Sequence, residues 1–214
     1  MRVAQLPTSH AEEAAHRAGY LRVAGVDEVG RGPLVGPVMA GAVVLPYPLP
    51  PALRGAGIRD SKALSARARE RLAPLIREHA VSAAVGSASA AEVDRLGIVE
   101  ATRQAMLRAV ASLAVRPDLL LVDALDLPQA GIPFRAIVHG DALCLSIAAA
   151  SIVAKVTRDR LMVEMDARYP GYSLARHKGY PTADHLARLR RNGPTPEHRR
   201  SFAPVRQLVE MGYG

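Results

Sequence analysis

A mixed α/β fold is the expectation for this chain of 214 residues. Strand-like apolar runs come first and then alternate with helix-like segments, the pattern of a sheet covered by helices. The run LLLVD at 119–123 is continuously apolar and ends in an acid, as a buried central strand does. Hydrophobic residues make up 49% of the chain, enough for a sizeable core and too many for a disordered polymer. At about 150 residues per domain, the length suits one domain with an appendage.

The elements follow in order. Residues 1–20 alternate charged and small side chains, contain no apolar signal-peptide stretch, and read as a poorly anchored lead-in. Residues 22–27 form a short strand running out into a Gly-rich turn, and 35–45 form a second. Their closeness favours an antiparallel hairpin. The stretch 32–53 has no charged residue, but Pro33, Pro37, Pro46, Pro48, Pro50 and Pro51 exclude a membrane-spanning helix. It reads as a buried strand and a loop at 46–51. Residues 65–78 make an amphipathic helix with Leu72, Leu75 and Ile76 inward and Arg67, Arg69, Arg71 and Arg77 outward. A third strand is expected at 80–86. Ser89 and Glu92 have capping-box spacing and open a short helix that Gly97 ends. The next helix carries Ile98, Ala101, Ala105, Met106, Ala109, Val110 and Leu113 at helical spacing. After the 119–123 strand, 135–138 is another short one. Residues 146–168 form a long helix whose first half is small and apolar, suited to close packing in the core. Beyond Pro170 the chain is basic, helical and broken by Pro181, Gly193, Pro194, Pro196 and Pro204. A soft boundary there divides 21–170 from a C-terminal helical segment, 171–214.

Composition narrows the chemistry. Twenty-eight Lys and Arg against 20 Asp and Glu give a net charge of +8, which suggests a polyanionic partner, above all nucleic acid. Aromatic residues are only 4% and Trp is absent, which argues against a base-stacking platform. A single cysteine, Cys144, permits no intrachain disulfide and no zinc cluster; it fits a reducing, cytoplasmic setting and a small buried residue without a reactive role. Asp27 and Glu28 stand where a strand runs out, Asp123 ends the most apolar strand, and Asp141 follows Gly140 before the long helix. Ionised groups at the ends of buried elements are costly unless paired or metal-bound, and clustered carboxylates suit Mg²⁺ or Mn²⁺. Any one of these acids would equally serve as a helix cap or turn former; their joint placement points to a metal. The glycines at 30, 32 and 36 do not make a dinucleotide site, because Pro33 and a strand stand where that motif needs a helix.

The segment GVDEVGRGPLVGPV at 25–38 resembles the signature of bacterial ribonuclease HII, the type 2 ribonuclease H. DSKALS at 60–65, LVD at 121–123, GD at 140–141, SIAAASIVAKVTRD at 146–159, HKGYPT at 177–182 and HRRSF at 198–202 are similar to that family's further motifs, in its order. The resemblance implies an RNase H-like mixed β-sheet flanked by helices. It implies hydrolysis of RNA in RNA–DNA hybrids and incision 5′ to single ribonucleotides embedded in duplex DNA, leaving 3′-hydroxyl and 5′-phosphate ends, by a monomer without a membrane. By motif position Asp27, Glu28, Asp123 and Asp141 match four catalytic, metal-binding acids for two divalent ions, Mg²⁺ or Mn²⁺. Asp27 and Asp141 are expected near the ion that activates water, Glu28 and Asp123 near the other. Gly30, Arg31 and Gly32 match the loop that contacts the ribose 2′-hydroxyl, the group that separates RNA from DNA. Tyr180 matches the tyrosine at the RNA–DNA junction, and Ser61 and Lys62 match positions near backbone phosphate.

Three positions depart from the family pattern: Ala124 stands where Gly is usual, His139 where Lys is usual, and Ala142 where Ser is usual. None is a metal ligand, so substrate affinity is the property they bring into question. A metal-activated water needs no histidine base, so His198 reads as structural; Arg199 and Arg200 would serve phosphate or the C-terminal fold. A non-catalytic nucleic-acid binder on the same fold is the alternative, and the presence of all four acids argues against it.

Overall fold

The computed structural model describes residues 6–212. In chain order the elements are α1 (His10–Arg17), β1 (Val23–Val29), β2 (Val38–Val44), α2 (Ala66–His79), β3 (Ser82–Ala88), α3 (Ala90–Leu96), α4 (Ile98–Ala111), β4 (Leu119–Asp123), β5 (Phe134–Ile137), α5 (Gly140–Leu143), α6 (Leu145–Arg168), α7 (Leu174–His177), α8 (Ala183–Asn192) and α9 (Ala203–Glu210). The five strands lie in the order β3-β2-β1-β4-β5. β1–β2 and β2–β3 pair antiparallel, the first across a short loop and the second across the connection that holds α2, while β1–β4 and β4–β5 pair parallel.

Both faces of the sheet are buried, which is why β2 and β4 read as apolar runs rather than alternations. Ala24, Val26, Leu120 and Val122 face α3 and α4, with Ala105, Met106 and Ala109. On the other face α2 and α6 pack over Val43, with Leu72, Ile76 and the Ala148–Val153 stretch. The first half of α6 is buried residue by residue. Its small side chains let it approach the sheet so closely that a Cβ on Gly25 would overlap the Ser146 backbone, and one on Gly41 the Ala150 carbonyl. The capping box forms as the spacing implies, with Ser89 and Glu92 each bonded to the other's backbone. Cys144 is buried, and burial pushes its thiol up to about 12.

Two expectations are corrected. The lead-in is anchored: α1 buries Ala15 under the sheet, and Thr8 brackets Cys144 with two backbone hydrogen bonds. The buried Glu12 carboxylate accepts from the Ser146 amide (2.7 Å) and hydroxyl (2.6 Å). The first amides of a helix need acceptors, and Cys144 supplies no side-chain cap to α6; Glu12 does so from a distant part of the chain. Residues 1–5 of that segment lie outside the described residues. The second correction is Arg69, which points inward: its guanidinium donates to the carbonyls of Ser61 (2.8 Å) and Leu64 (2.6 Å) and lies 3.7 Å from Asp159.

The C-terminal segment packs Tyr172, Leu174, Leu189, Val205 and Leu208 onto Leu34, Val35, Met162 and Met165, so it shares its core with the loop after β1 and the end of α6. Among the described residues no helix is long and apolar enough to cross a membrane.

Candidate active site

The parallel pairing of β1 with β4, Val26 opposite Val122, brings Asp27 and Asp123 to neighbouring carboxyl ends of strands, where open α/β sheets bind ligands. Glu28 is the next residue of β1, and the strand end turns it to the same cleft. One carboxylate oxygen from each of Asp27, Glu28 and Asp123 lies within 4.8 Å of the other two. Asp141, on α5, sits to one side: its Oδ2 is 3.3 Å from Lys62 Nζ. The structure therefore groups Asp27 with Glu28 and Asp123 more closely than with Asp141. The Gly140 amide donates to Asp123 Oδ1 at 2.7 Å, which ties the start of α5 to the end of β4.

Packed carboxylates disfavour their own ionisation. Burial pushes Asp27 well above the usual carboxylate range, and the neighbouring Glu28, Asp123 and Asp141 add to it; the Ser151 hydroxyl opposes them. Burial also raises Glu28, against the pull of the Arg31 guanidinium at 3.5 Å. Burial raises Asp123 as well, with the Gly140 amide working against it. Burial disfavours the charge on Lys62, but Asp141, Asp27 and Asp60 outweigh that and raise its ammonium. Asp27 Oδ2 is buried without a hydrogen-bond partner among the described residues. An orphaned buried oxygen within a set of hard oxygen donors is what a divalent cation fits.

Beside the acids lies a cleft of about 210 Å³ lined by Glu28, Gly30, Arg31, Gly32, Ser61, Lys62, Lys155 and Tyr180, among others. The substrate-contact residues expected from the sequence thus meet in one place. Tyr180 is 39% exposed and its ring lies against Gly32. Ser61 is buried, and its hydroxyl accepts from Ser151, so it ties the cleft wall to α6. A larger hollow of about 460 Å³, lined by Leu107, Val110, Leu113 and Ile132 among others, lies elsewhere and carries no acid.

Three cleft-supporting residues were not singled out by the sequence or were left undecided. Lys155 lies one turn beyond Ser151 on the same face of α6, and that spacing could have found it. Arg199 is fully buried and donates to the carbonyls of Gly30 (2.7 Å), Arg31 (2.9 Å) and Gly36 (2.9 Å). In a trans peptide the amide N–H points opposite to the carbonyl, so the amides of Arg31 and Gly32 face away from Arg199. Arg158, also fully buried, donates to the carbonyls of Val35, Pro37 and Lys178 and lies where a Cβ on Gly30 would stand. The open question about Arg199 is thereby answered: it serves the fold of the loop. His198 is packed and hydrogen-bonded, as its structural assignment implied.

Comparison with known proteins places this architecture. The family described as Ribonuclease HII matches residues 24–205. Ribonuclease HII of Desulfitobacterium hafniense (strain DSM 10664 / DCB-2) is 54% identical over 195 residues, covering 90% of this chain and 73% of that protein. Ribonuclease HII of Nitrosococcus oceani is 55% identical over 189 residues, covering 88% of this chain and 92% of that protein. Among solved structures, ribonuclease H2 from Pyrococcus horikoshii OT3 is similar with a TM-score of 0.75 and 29% identity, covering 89% of this chain and 98% of that one.

Proposed function

Because this chain belongs to the ribonuclease HII family, we propose that Asp27, Glu28, Asp123 and Asp141 are its catalytic, metal-binding acids and that the adjoining cleft reads the ribonucleotide. The activity is that of a ribonuclease H, an endonuclease acting on the RNA of RNA–DNA hybrids, and it depends on divalent metal. The convergence of three carboxylates, one of them with a buried and unpartnered oxygen, carries the site assignment.

The acids offer only oxygen donors, which selects Mg²⁺ or Mn²⁺ over softer metals. Such an ion, when bound, acidifies water and neutralises charge on the phosphate and the leaving 3′-oxygen. The chain's own residues arrange the rest. The Gly140 amide holds Asp123, and Arg31 holds Glu28. Arg199 turns the Arg31 and Gly32 amides outward as donors for a ribose 2′-hydroxyl, and Gly32 lets the sugar come close because no side chain intervenes. Tyr180 lies against the sugar at the RNA–DNA junction. Lys62 and Lys155 face backbone phosphate, with Ser61 fixing the wall between them. Residues 21–170 carry the acids and 171–214 complete the substrate site. The enzyme works as a monomer in the cytoplasm, on hybrids and on duplex DNA containing ribonucleotides.

The test is cleavage of duplex DNA with one embedded ribonucleotide, beside an all-RNA/DNA hybrid, with Mg²⁺, Mn²⁺ or chelator. Incision 5′ to the ribonucleotide, abolished by chelator, is the expected outcome. Asp27→Asn should lower the rate by about a hundredfold or more. It should also raise the melting temperature of the metal-free protein, since it removes a buried, repelled charge. Near-normal turnover by a folded Asp27→Asn protein would overturn the assignment.

A further inference from the structure

The turn that carries Tyr180 is built on three histidines. His185 and His198 are buried. His177 stacks on His185 with ring centroids 4.3 Å apart, and His198 is tilted against His185 at 5.5 Å. Their backbone partners decide where each ring keeps its proton. The Thr195 amide donates to His198 Nδ1 at 3.0 Å, which leaves that ring's proton on Nε2. His198 Nε2 is 3.3 Å from His185 Nε2, so His185 accepts there and carries its own proton on Nδ1. That Nδ1 is 2.9 Å from the Tyr180 carbonyl. His177 accepts from the Gly179 amide at Nδ1 (3.2 Å) and donates from Nε2 to the Tyr172 carbonyl (2.8 Å). All six ring nitrogens are thereby used, and only with every ring neutral. Burial, aided by the neighbouring rings, pushes His198 down to about 3, and burial lowers His185.

This network grips a bent stretch of backbone. Lys178 and Gly179 are both left-handed, with φ of +53° and +83°. The Gly179 carbonyl accepts from the Leu34 amide at 2.8 Å, which docks the turn against the chain leaving Gly30–Gly32. The Tyr180 ring then lies against Gly32, with Lys155 Nζ 6.0 Å from its centroid.

We infer that His185, seated by His198, is a positioning residue for Tyr180: its Nδ1–H fixes the Tyr180 carbonyl and so the angle at which the ring meets the Gly30–Gly32 loop. The inference rests on the reading of Tyr180 as a substrate contact. The Thr182 amide also donates to the Tyr180 carbonyl, at 2.8 Å, so the His185 ring sets the second of its two bonds and does so without touching substrate.

Four variants test it: Tyr180→Ala, His185→Leu, His185→Asn and the double variant Tyr180→Ala/His185→Leu. The Asn amide can take the place of Nδ1–H toward the Tyr180 carbonyl but loses the link to His198. Leu loses both. For each, kcat and KM are measured separately on single-ribonucleotide duplex and on RNA/DNA hybrid, with melting temperatures alongside. His185→Leu should lower the ratio of the two kcat/KM values roughly tenfold, as loss of one buried hydrogen bond would. His185→Asn should keep most of the ratio while melting as early as the Leu variant. His185→Leu should add nothing to Tyr180→Ala. Equal loss in the Leu and Asn variants, or none in either, overturns the positioning role while the Tyr180 reading stands. An unchanged ratio in Tyr180→Ala overturns the Tyr180 reading and the inference with it. Independently of any variant, ¹⁵N shifts at neutral pH should place the His185 proton on Nδ1 and the His198 proton on Nε2; an imidazolium at either would overturn it.

Discussion

Ala124 follows the strand-end Asp123 with φ of +52°, a left-handed conformation that crowds a Cβ against the backbone. Glycine, the usual residue at this position of the family pattern, has no such conflict. Ala124→Gly should therefore stabilise the protein by about 1 kcal/mol, or roughly 2–4 °C in melting temperature, without altering kcat. Thermal unfolding checks it; a loss of stability would show that the strain lies elsewhere. His139 is left-handed too, with φ of +58°, just ahead of α5. Two of the three departures seen in the sequence, Ala124 and His139, thus fall at tight corners, one just after Asp123 and one just before α5. Legibility at this scale divided by residue type. The acids could be read because an ionised group at the end of an apolar run calls for an explanation. Arg158 and Arg199 could not, because arginine is ordinarily exposed and their acceptors are backbone carbonyls brought close only by folding.

The elements were legible where their signals were local. The Ser89–Glu92 box, the periodic faces of α2 and α4 and the apolar run of β4 all act within a few residues, and the structure places them within two or three residues of expectation. Helix α1 escaped because its reason for docking is remote: a short polar helix gains its place by capping α6, 134 residues on. The packing of α6 on the sheet yields a prediction. A Cβ on Gly41 would overlap the Ala150 carbonyl, and α6 has no softer atom there to give way. Gly41→Ala should cost about 2–3 kcal/mol in urea unfolding. Because Ser151 follows Ala150 and its hydroxyl favours the ionised Asp27 carboxylate, the same change should slow cleavage. Normal activity in that variant would show that the sheet and helix can separate without disturbing the acids.

For the whole molecule, pH acts through the buried histidines. The pKa of His198 is about 3 in the fold and about 6.5 as a free side chain. Between those values the unfolded chain binds a proton that the native chain refuses, so stability falls as pH drops below 6.5. The slope from this group approaches about 1.4 kcal/mol per pH unit. His198→Asn should be less stable than wild type at pH 8 but lose less on going to pH 5; denaturant titrations at the two values measure the difference. The order of the strands has a consequence for synthesis. β1, which bears Asp27 and Glu28, lies at the centre of the sheet, yet its parallel neighbour β4 comes from far along the chain and Tyr180 from farther still. A nascent chain leaving the ribosome carries its first two acids long before it has the strand that joins them to the third. The cluster of three carboxylates is therefore withheld until β4 has emerged, and a product terminated before that strand lacks it.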